Sequence, residues 1–134
     1  MGRLRGILSG IIVIFIVFLS GCAPLILGGV AATTGVGTYI YVDGNLATDY
    51  HYSFELVWDA CEAVVASMGG TDVIREKDVG VGELSAVIDG ETVKISAKYR
   101  ANELTSVMVR VGFLGDKLAS QRIHDMIYEH LKKE

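Results

Sequence analysis

The chain is poor in cysteine, proline and positive charge. Of its 134 residues only two are cysteines and one is proline, Pro24, which precedes the part that we expect to fold. Small disulfide-stabilised proteins need several paired cysteines. With Cys22 assigned to lipid attachment, as argued below, Cys61 would be the one free thiol, and a disulfide framework is excluded. The chain has 12 Lys and Arg against 16 Asp and Glu, a net charge of −4. That balance gives no overall basic field, and we expect no nucleic-acid partner.

The residue patterns of common enzymes are also missing. His51, His124 and His130 are the only histidines, and His124 and His130 point about 120° apart on a helix, unlike metal ligands spaced i, i+4. There is no Gly-x-Ser-x-Gly elbow and no P-loop. Cys61 falls within an apolar helical stripe, which predicts a core side chain rather than a reactive thiol. We therefore expect solvated or half-buried histidines, no metal, no cofactor, no catalytic residue and no enzymatic activity.

The N-terminus has the organisation of an export signal. Arg3 and Arg5 precede a run from Ile7 to Phe18 that is apolar apart from one serine and one glycine. Such a run fits a signal peptide and is short of the ~20 residues that span a bilayer. The following Leu19-Ser20-Gly21-Cys22 resembles the lipobox of bacterial lipoproteins. The alternative is an uncleaved membrane helix in which Cys22 has no role.

The lipobox resemblance implies cleavage between Gly21 and Cys22 and covalent attachment of a diacylglycerol and an N-acyl chain to Cys22. Two or more chains anchor a protein stably. Ala23 stands where lipoproteins retained at the inner membrane of enteric bacteria usually carry Asp, so the resemblance favours the periplasmic face of the outer membrane. Loss of residues 1–21 removes Arg3 and Arg5 and no acid, which changes the net charge from −4 to −6.

Residues 22–37 form an uncharged tether rich in glycine and alanine. An unstructured leader is one interpretation. Because Gly29, Thr33 and Gly37 recur at four-residue spacing, a membrane-dipping or self-associating helix is another. A buried strand is the third.

Residues 38–134 predict one α+β domain. Thr38 to Tyr50 reads as one long strand kinked at Gly44, with a hairpin at Asp43-Gly44 as the alternative. Ser53 predicts a helix start, and apolar residues then recur at helical spacing until Gly69-Gly70. The members of this stripe are Phe54, Val57, Trp58, Cys61, Val64, Val65 and Met68.

Four further strands and a second helix are predicted to follow. The strands are 71–76, 83–88, 92–100 and 105–112, with a turn at 79–82 and a hairpin at Asp89-Gly90. In the third of them Val93, Ile95, Ala97 and Tyr99 are expected to face the core. Asp116 is the predicted N-cap of the last helix, whose apolar stripe contains Ala119, Ile123, Met126, Ile127 and either His130 or Leu131. The resulting fold is a two-layer sandwich of order β-α-β-β-β-β-α, with a mainly antiparallel sheet of four to five strands and two helices on one face.

The mature chain resembles small lipoproteins of Gram-negative bacteria that share a domain of unknown function. The residues that carry the resemblance are Gly-Cys-Ala-Pro-Leu at 21–25, Tyr-x-Tyr-Val-x-Gly-x-Leu at 39–46 and Arg-Val-Gly-Phe-Leu-Gly-Asp at 110–116, together with Tyr50, Val57-Trp58 and Ile123-His124. The resemblance implies an envelope location and a shared fold. It implies no activity and no catalytic residue.

One cluster of charges is predicted on the solvent side of the sheet. Lys94, Lys98, Arg100 and Arg110 alternate with core residues, so on adjacent strands they would form a basic patch on an acidic domain. The patch is either a solvated sheet face or a site for an anionic envelope partner, such as a lipid head group or a cell-wall carboxylate.

These features predict a non-enzymatic lipoprotein that holds an interaction module at the envelope membrane, with membrane lipid and an envelope protein of unknown identity as partners. One alternative is a carrier or sensor of a small apolar ligand, with a cavity lined by residues such as Trp58, Ile95 and Val109. Another is self-association through the tether. The sequence leaves the oligomeric state open.

Overall fold

The computed structural model describes residues 37–134, which fold into one antiparallel sheet backed by two helices. The predictions for the signal peptide 1–21, for the cleavage and lipidation of Gly21 and Cys22, and for the tether before residue 37 lie outside the described residues. The elements of residues 37–134 are β1 Ile40–Val42, β2 Asn45–Tyr50, α1 Phe54–Ser67, β3 Thr71–Asp78, β4 Val81–Ile88, β5 Glu91–Ala101, β6 Leu104–Val111 and α2 Lys117–Leu131. Neither of these two helices has the length and hydropathy needed to cross a membrane.

The sheet has the strand order β1-β2-β6-β5-β4-β3, with every neighbouring pair antiparallel. Strands β3 to β6 follow one another through short turns, while β2 at the N-terminal end of the fold pairs with β6 near the C-terminal end. The short strand β1 and the longer strand β3 form the two edges. The α+β class, the antiparallel sheet and the two helices are therefore as predicted.

The predicted strand count and element order are wrong at the start of the domain. Six strands are present rather than four to five, because the segment expected to be one kinked strand is the hairpin β1–β2. Asp43 and Gly44 both have positive φ, 50° and 81°, as a two-residue type I′ turn requires. A side chain at Gly44 would also place its Cβ 2.6 Å from the carbonyl oxygen of Leu114. The observed order is β-β-α-β-β-β-β-α.

Helix α1 has the predicted start and the predicted buried face. The Ser53 side chain accepts a hydrogen bond from the Leu56 amide at 3.4 Å, so it caps the helix. Six stripe residues from Phe54 to Val65 are buried, including Cys61, and Met68 packs partly buried against them. Trp58 lies on Gly82 of β4 so closely that any Cβ there would clash with the indole. Gly82 is thus a strand position that accommodates Trp58, and the prediction that it belongs to a turn is wrong.

The helices cover one face of the sheet. On that inner face the predicted core residues Val93, Ile95 and Ala97 of β5 are buried, whereas Tyr99 is exposed, contrary to prediction. Tyr99 keeps the regular register partner Thr105 and lies against Gly80 of the β3–β4 turn, so it is exposed at the end of the strand rather than turned to the other face. Helix α2 begins at the predicted cap, with Asp116 Oδ1 accepting from the Ala119 amide at 2.9 Å.

The α2 stripe follows the prediction with two additions, Ser120 and His124. Ile123, Ile127 and Leu131 are buried, Ala119 and Met126 are partly buried, and His130 is only half-buried. Both are completely buried between α2 and the sheet, and His124 is the larger of the two. The expectation of a solvated or half-buried histidine is wrong for this residue, and its hydrogen bonds, described below, explain why.

Candidate functional site

The side of the sheet opposite the helices, here called the outer face, carries no covering layer in residues 37–134. Its side chains come from alternate positions of the central strands, among them Ser85 of β4, Lys94 of β5 and Arg110 of β6. An antiparallel sheet commonly packs one face on a core and leaves the other to solvent. The outer face is therefore a surface on which the described domain could meet a partner.

Two cations of the predicted basic patch lie directly opposite each other on this face. Lys94 of β5 is the register partner of Arg110 of β6, and we call these two residues the cation pair. Lys98 is exposed four residues further along β5, opposite Ser106, and Arg100 is exposed at the register shift between Tyr99 and Ala101. Like charges directly across an antiparallel ladder are destabilising. A cation pair at the centre of the sheet therefore opposes folding rather than supporting it.

The charge of the cation pair is not cancelled by a bound carboxylate. The ion pairs that the structure describes in residues 37–134 use Arg75 with Glu62, Lys77 with Glu55, and Lys132 with Glu129. The Arg110 guanidinium instead donates to two backbone carbonyls, that of Asp43 at 3.0 Å and that of Phe113. Carbonyl acceptors satisfy the donors but leave the positive charge in place. Arg110 thereby connects the β1–β2 turn to the β6–α2 loop while remaining cationic.

A groove of about 630 Å³ lies beside the cation pair. Lys94 and Arg110 form its basic side, Asn45 and Thr92 add hydrogen-bonding groups, and Phe113 adds an aromatic wall. Glu91 also lines the groove and is its one acid. The groove thus offers two cations, neutral polar groups and an aromatic ring to an anionic ligand.

Three large apolar residues in the β6–α2 loop and at the start of α2 are strongly exposed. Phe113 and Leu114 in the β6–α2 loop are 90% and 83% exposed, and Leu118 in the first turn of α2 is 74% exposed. We call these three residues the apolar tip. The sequence patterns did not single out these three residues. The available signal was the placement of two consecutive large apolar residues between two glycines, where turn residues are usually small or polar.

A second depression lies between the helices, on the far side of the molecule. Its volume is about 470 Å³, and its lining includes Val64, Met126, Arg122, Asp125 and Glu129. Acids and bases alternate around an apolar floor, so this groove shows no preference for a ligand of either charge.

The buried His124 is held by a closed set of hydrogen bonds. Its Nε2 lies 2.8 Å from the carbonyl oxygen of Leu46, and its Nδ1 lies 2.8 Å from the Tyr50 hydroxyl. Because a carbonyl can only accept, Nε2 carries the proton and Nδ1 accepts from Tyr50. The Tyr50 hydroxyl is also 3.1 Å from the carbonyl oxygen of His124. The imidazole is thus fully satisfied as a neutral group.

Burial sets the protonation of this network and of Cys61. Desolvation lowers the pKa of His124 to about 4 and raises the pKa of Tyr50 above its usual range. The Cys61 thiol is also buried, and desolvation raises its pKa to about 12. All three groups are neutral near pH 7 and closed to solvent. They stabilise the junction between helices and sheet and are out of reach of a substrate.

Two further expectations bear on the chemistry of the core. Trp58 packs directly on Gly82, so its position does not support the predicted ligand cavity lined by Trp58. Among residues 37–134 no three His, Cys, Asp or Glu side chains are grouped so as to hold a metal ion.

Comparison with known proteins gives one result at the level of the family. The family model described as Protein of unknown function (DUF3568) matches residues 6–130. No curated protein matches the chain. The family description names no activity, ligand or partner, so the chemistry of the chain has to be argued from its own residues.

Proposed function

The chain belongs to the DUF3568 family of proteins of unknown function, and we propose that it is a lipid-anchored protein of the bacterial envelope whose folded domain is a non-enzymatic interaction module. The module binds an anionic partner through the outer face of its sheet. The lipid on Cys22 holds it at the membrane, at the periplasmic face of the outer membrane. The partner is membrane lipid or another envelope component.

The cation pair is the observation that carries the binding role. Lys94 and Arg110 oppose each other across two strands, with neither held by a carboxylate. Such a pair destabilises the fold. An anionic ligand that neutralised both charges would remove the repulsion between them. The mature domain is otherwise acidic, so this local excess of positive charge stands out from its surroundings.

The burial of the reactive groups supports binding rather than catalysis. A nucleophilic thiol needs access and a lowered pKa, and Cys61 has the opposite of both. A general base needs to reach its substrate, and His124 is enclosed by its own hydrogen bonds. Neither group can take part in surface chemistry while the domain is folded.

The membrane anchor is supported by the order of residues at the N-terminus. Two arginines, a short apolar run and Leu19-Ser20-Gly21-Cys22 follow one another in the arrangement of a lipoprotein signal. Intact-mass analysis of protein from cell envelopes tests it. We expect a chain that begins at Cys22 with diacylglycerol and an N-acyl chain attached, and a Cys22→Ser variant that gains no lipid. Recovery of the native chain with Met1 in place and no acyl groups would refute the anchor.

Crosslinking in intact cells tests the outer face. A photoreactive residue at Ser96, which neighbours Lys94 on β5, should give adducts, and these should disappear when Lys94→Glu is added. The matched control places the same photoreactive residue at the exposed Arg122 of α2, on the opposite layer. Equal adducts at both positions, or adducts insensitive to Lys94→Glu, would contradict binding through the cation pair.

A further inference from the structure

The apolar tip exposes three large hydrophobic side chains within a short stretch of the chain. Phe113, Leu114 and Leu118 lie within six residues of the chain and each is at least 74% exposed. Exposed apolar residues scattered singly need no explanation, whereas a group of them marks a contact with another apolar phase. This group has no counterpart on the described inner face, where the large apolar side chains are buried.

The loop that carries the apolar tip is held in place rather than loose. The Asp116 amide donates to the Val111 carbonyl at 2.9 Å, and the Tyr41 hydroxyl donates to the Gly115 carbonyl at 3.1 Å. Gly44 lies against the backbone of Leu114 and Gly115. The Arg110 guanidinium donates a hydrogen bond to the Phe113 carbonyl. The backbone is therefore fixed on several sides while the apolar side chains remain in water, which indicates a built surface rather than an incompletely packed one.

Cations surround the apolar tip and set its preference for a ligand. Phe113 lines the same groove as the cation pair, and Lys117 lies between Leu114 and Leu118 in sequence, with its ammonium 5.9 Å from the Tyr41 ring. Acids are also close by. Asp116 is engaged as the cap of α2, Glu91 lines the groove, and Asp43 lies in the turn whose carbonyl accepts from Arg110. Lys94, Arg110 and Lys117 take part in none of the ion pairs described for residues 37–134, so their charges stay open to an anionic head group beside the projecting apolar residues.

This combination fits the surface of an anionic bilayer better than a protein. Peripheral membrane proteins place aromatic and leucine side chains among the acyl chains and bring Lys and Arg to the head groups. A stable protein interface buries about 800 Å² on each partner, which calls for a broad complementary surface rather than three side chains on one projecting loop. We propose that the apolar tip inserts into the membrane that carries the anchor, while Lys94 and Arg110 bind lipid phosphates.

The anchor places no obstacle to this contact. The chain enters the sheet near Gly37, whose amide donates to Asp49 at the end of the sheet away from the apolar tip. The eight residues of β6 span about 27 Å, and the fourteen residues 23–36 can span at most about 48 Å when extended. A tethered domain also meets its own membrane at a high effective concentration, so even a weak contact is occupied. This inference rests on the proposed function, since it assumes the lipid anchor.

Tryptophan fluorescence in vesicles tests the proposal on the intact lipidated protein. Phe113→Trp places a reporter at the apolar tip, and the native Trp58 is buried and can be subtracted with the parent protein. In vesicles of phosphatidylethanolamine and phosphatidylglycerol with brominated acyl chains, we expect the reporter to be quenched. Val79→Trp is the matched control, because Val79 is 96% exposed in a turn at the other end of the sheet; it should not be quenched.

The head-group contact is tested in the same system. Quenching of Phe113→Trp should fall when phosphatidylglycerol is omitted, and also when Lys94→Gln is added. Equal quenching of Phe113→Trp and Val79→Trp, or quenching of neither in protein that floats with the vesicles, would overturn insertion of the apolar tip and leave the anchor intact. Quenching that ignores both phosphatidylglycerol and Lys94 would overturn the role of the cation pair. Protein that carries no lipid and does not float would remove the proposed function and this inference with it.

Discussion

The two faces of the sheet treat polar groups in opposite ways. On the inner face His124, Tyr50 and the Leu46 carbonyl satisfy one another and remain neutral. On the outer face Lys94 and Arg110 bring two like charges together, and no carboxylate of residues 37–134 holds either of them. The inner polar groups serve the fold, since removing any of them leaves a buried partner unpaired. The outer pair works against the fold, which is the expected property of a surface kept for a ligand.

The largest expected effect belongs to the inner face. Trp58→Ala should destabilise the domain by about 4 kcal/mol, because the indole that packs on Gly82 would leave a cavity between α1 and β4. Urea denaturation at neutral pH measures this loss. Leu56→Ala is the control on the same helix, since Leu56 is partly exposed; it should cost far less. Similar losses for the two variants would mean that the inner face is not tightly packed around Trp58.

The second effect is a pH dependence that only the inner face should show. The pKa of His124 is about 4 in the folded state and about 6.5 in the unfolded chain. Above pH 6.5 the imidazole is neutral in both states. As the pH falls from 6.5 towards 4, only the unfolded state gains the proton, so stability is lost in that window, up to about 3 kcal/mol.

Denaturation curves between pH 7 and pH 4 measure this loss. His124→Gln should be less stable at pH 7 and should lose less on acidification than the parent protein. His130→Gln, altered at a half-buried position of the same helix, should keep the parent's pH dependence. If His124→Gln and the parent protein lost the same free energy of unfolding between pH 7 and pH 4, His124 would not be the group responsible for the loss.

The smallest effect has the opposite sign and belongs to the outer face. Lys94→Glu replaces a like-charge pair with an opposite-charge pair across β5 and β6, and should stabilise the domain by roughly 0.5 kcal/mol. Lys133→Glu, an exposed charge change near the C-terminus, is the control and should bring no such gain. The same Lys94→Glu variant should lose binding to anionic vesicles. If it lost stability instead, the distinction between the two faces would fail.

The features that local sequence determines were predicted well. The alternation of Val93, Ile95 and Ala97 and the helical stripe from Phe54 to Val65 depend only on the periods of strands and helices. The caps at Ser53 and Asp116 depend on side chains within three residues of the amides that they bind. Each of these signals lies inside a single element.

The features that depend on distant parts of the chain were missed. His124 is buried because its partners, Tyr50 and Leu46, come from a strand more than seventy residues away. The hairpin at Asp43-Gly44 is only an alternative at the level of the sequence, because the contact that distinguishes it from a kinked strand is with Leu114 and Gly115. For the candidate site, the sequence placed Lys94 and Arg110 on one face of adjacent strands, but only the register shows them directly opposite. The exposure of Phe113 likewise depends on how its loop is held.

The contact between Gly44 and Gly115 has a consequence for comparisons among relatives. These two glycines meet backbone to backbone, both at positive φ. A methyl group on Gly115 would collide with the main chain of Gly44, and one on Gly44 would collide with the carbonyl oxygen of Leu114. Any sequence that keeps this fold is thus restricted at both positions at once. If both glycines were invariant across a family, the cause would be this steric constraint between the β1–β2 turn and the β6–α2 loop. Their invariance would not indicate a ligand-binding site.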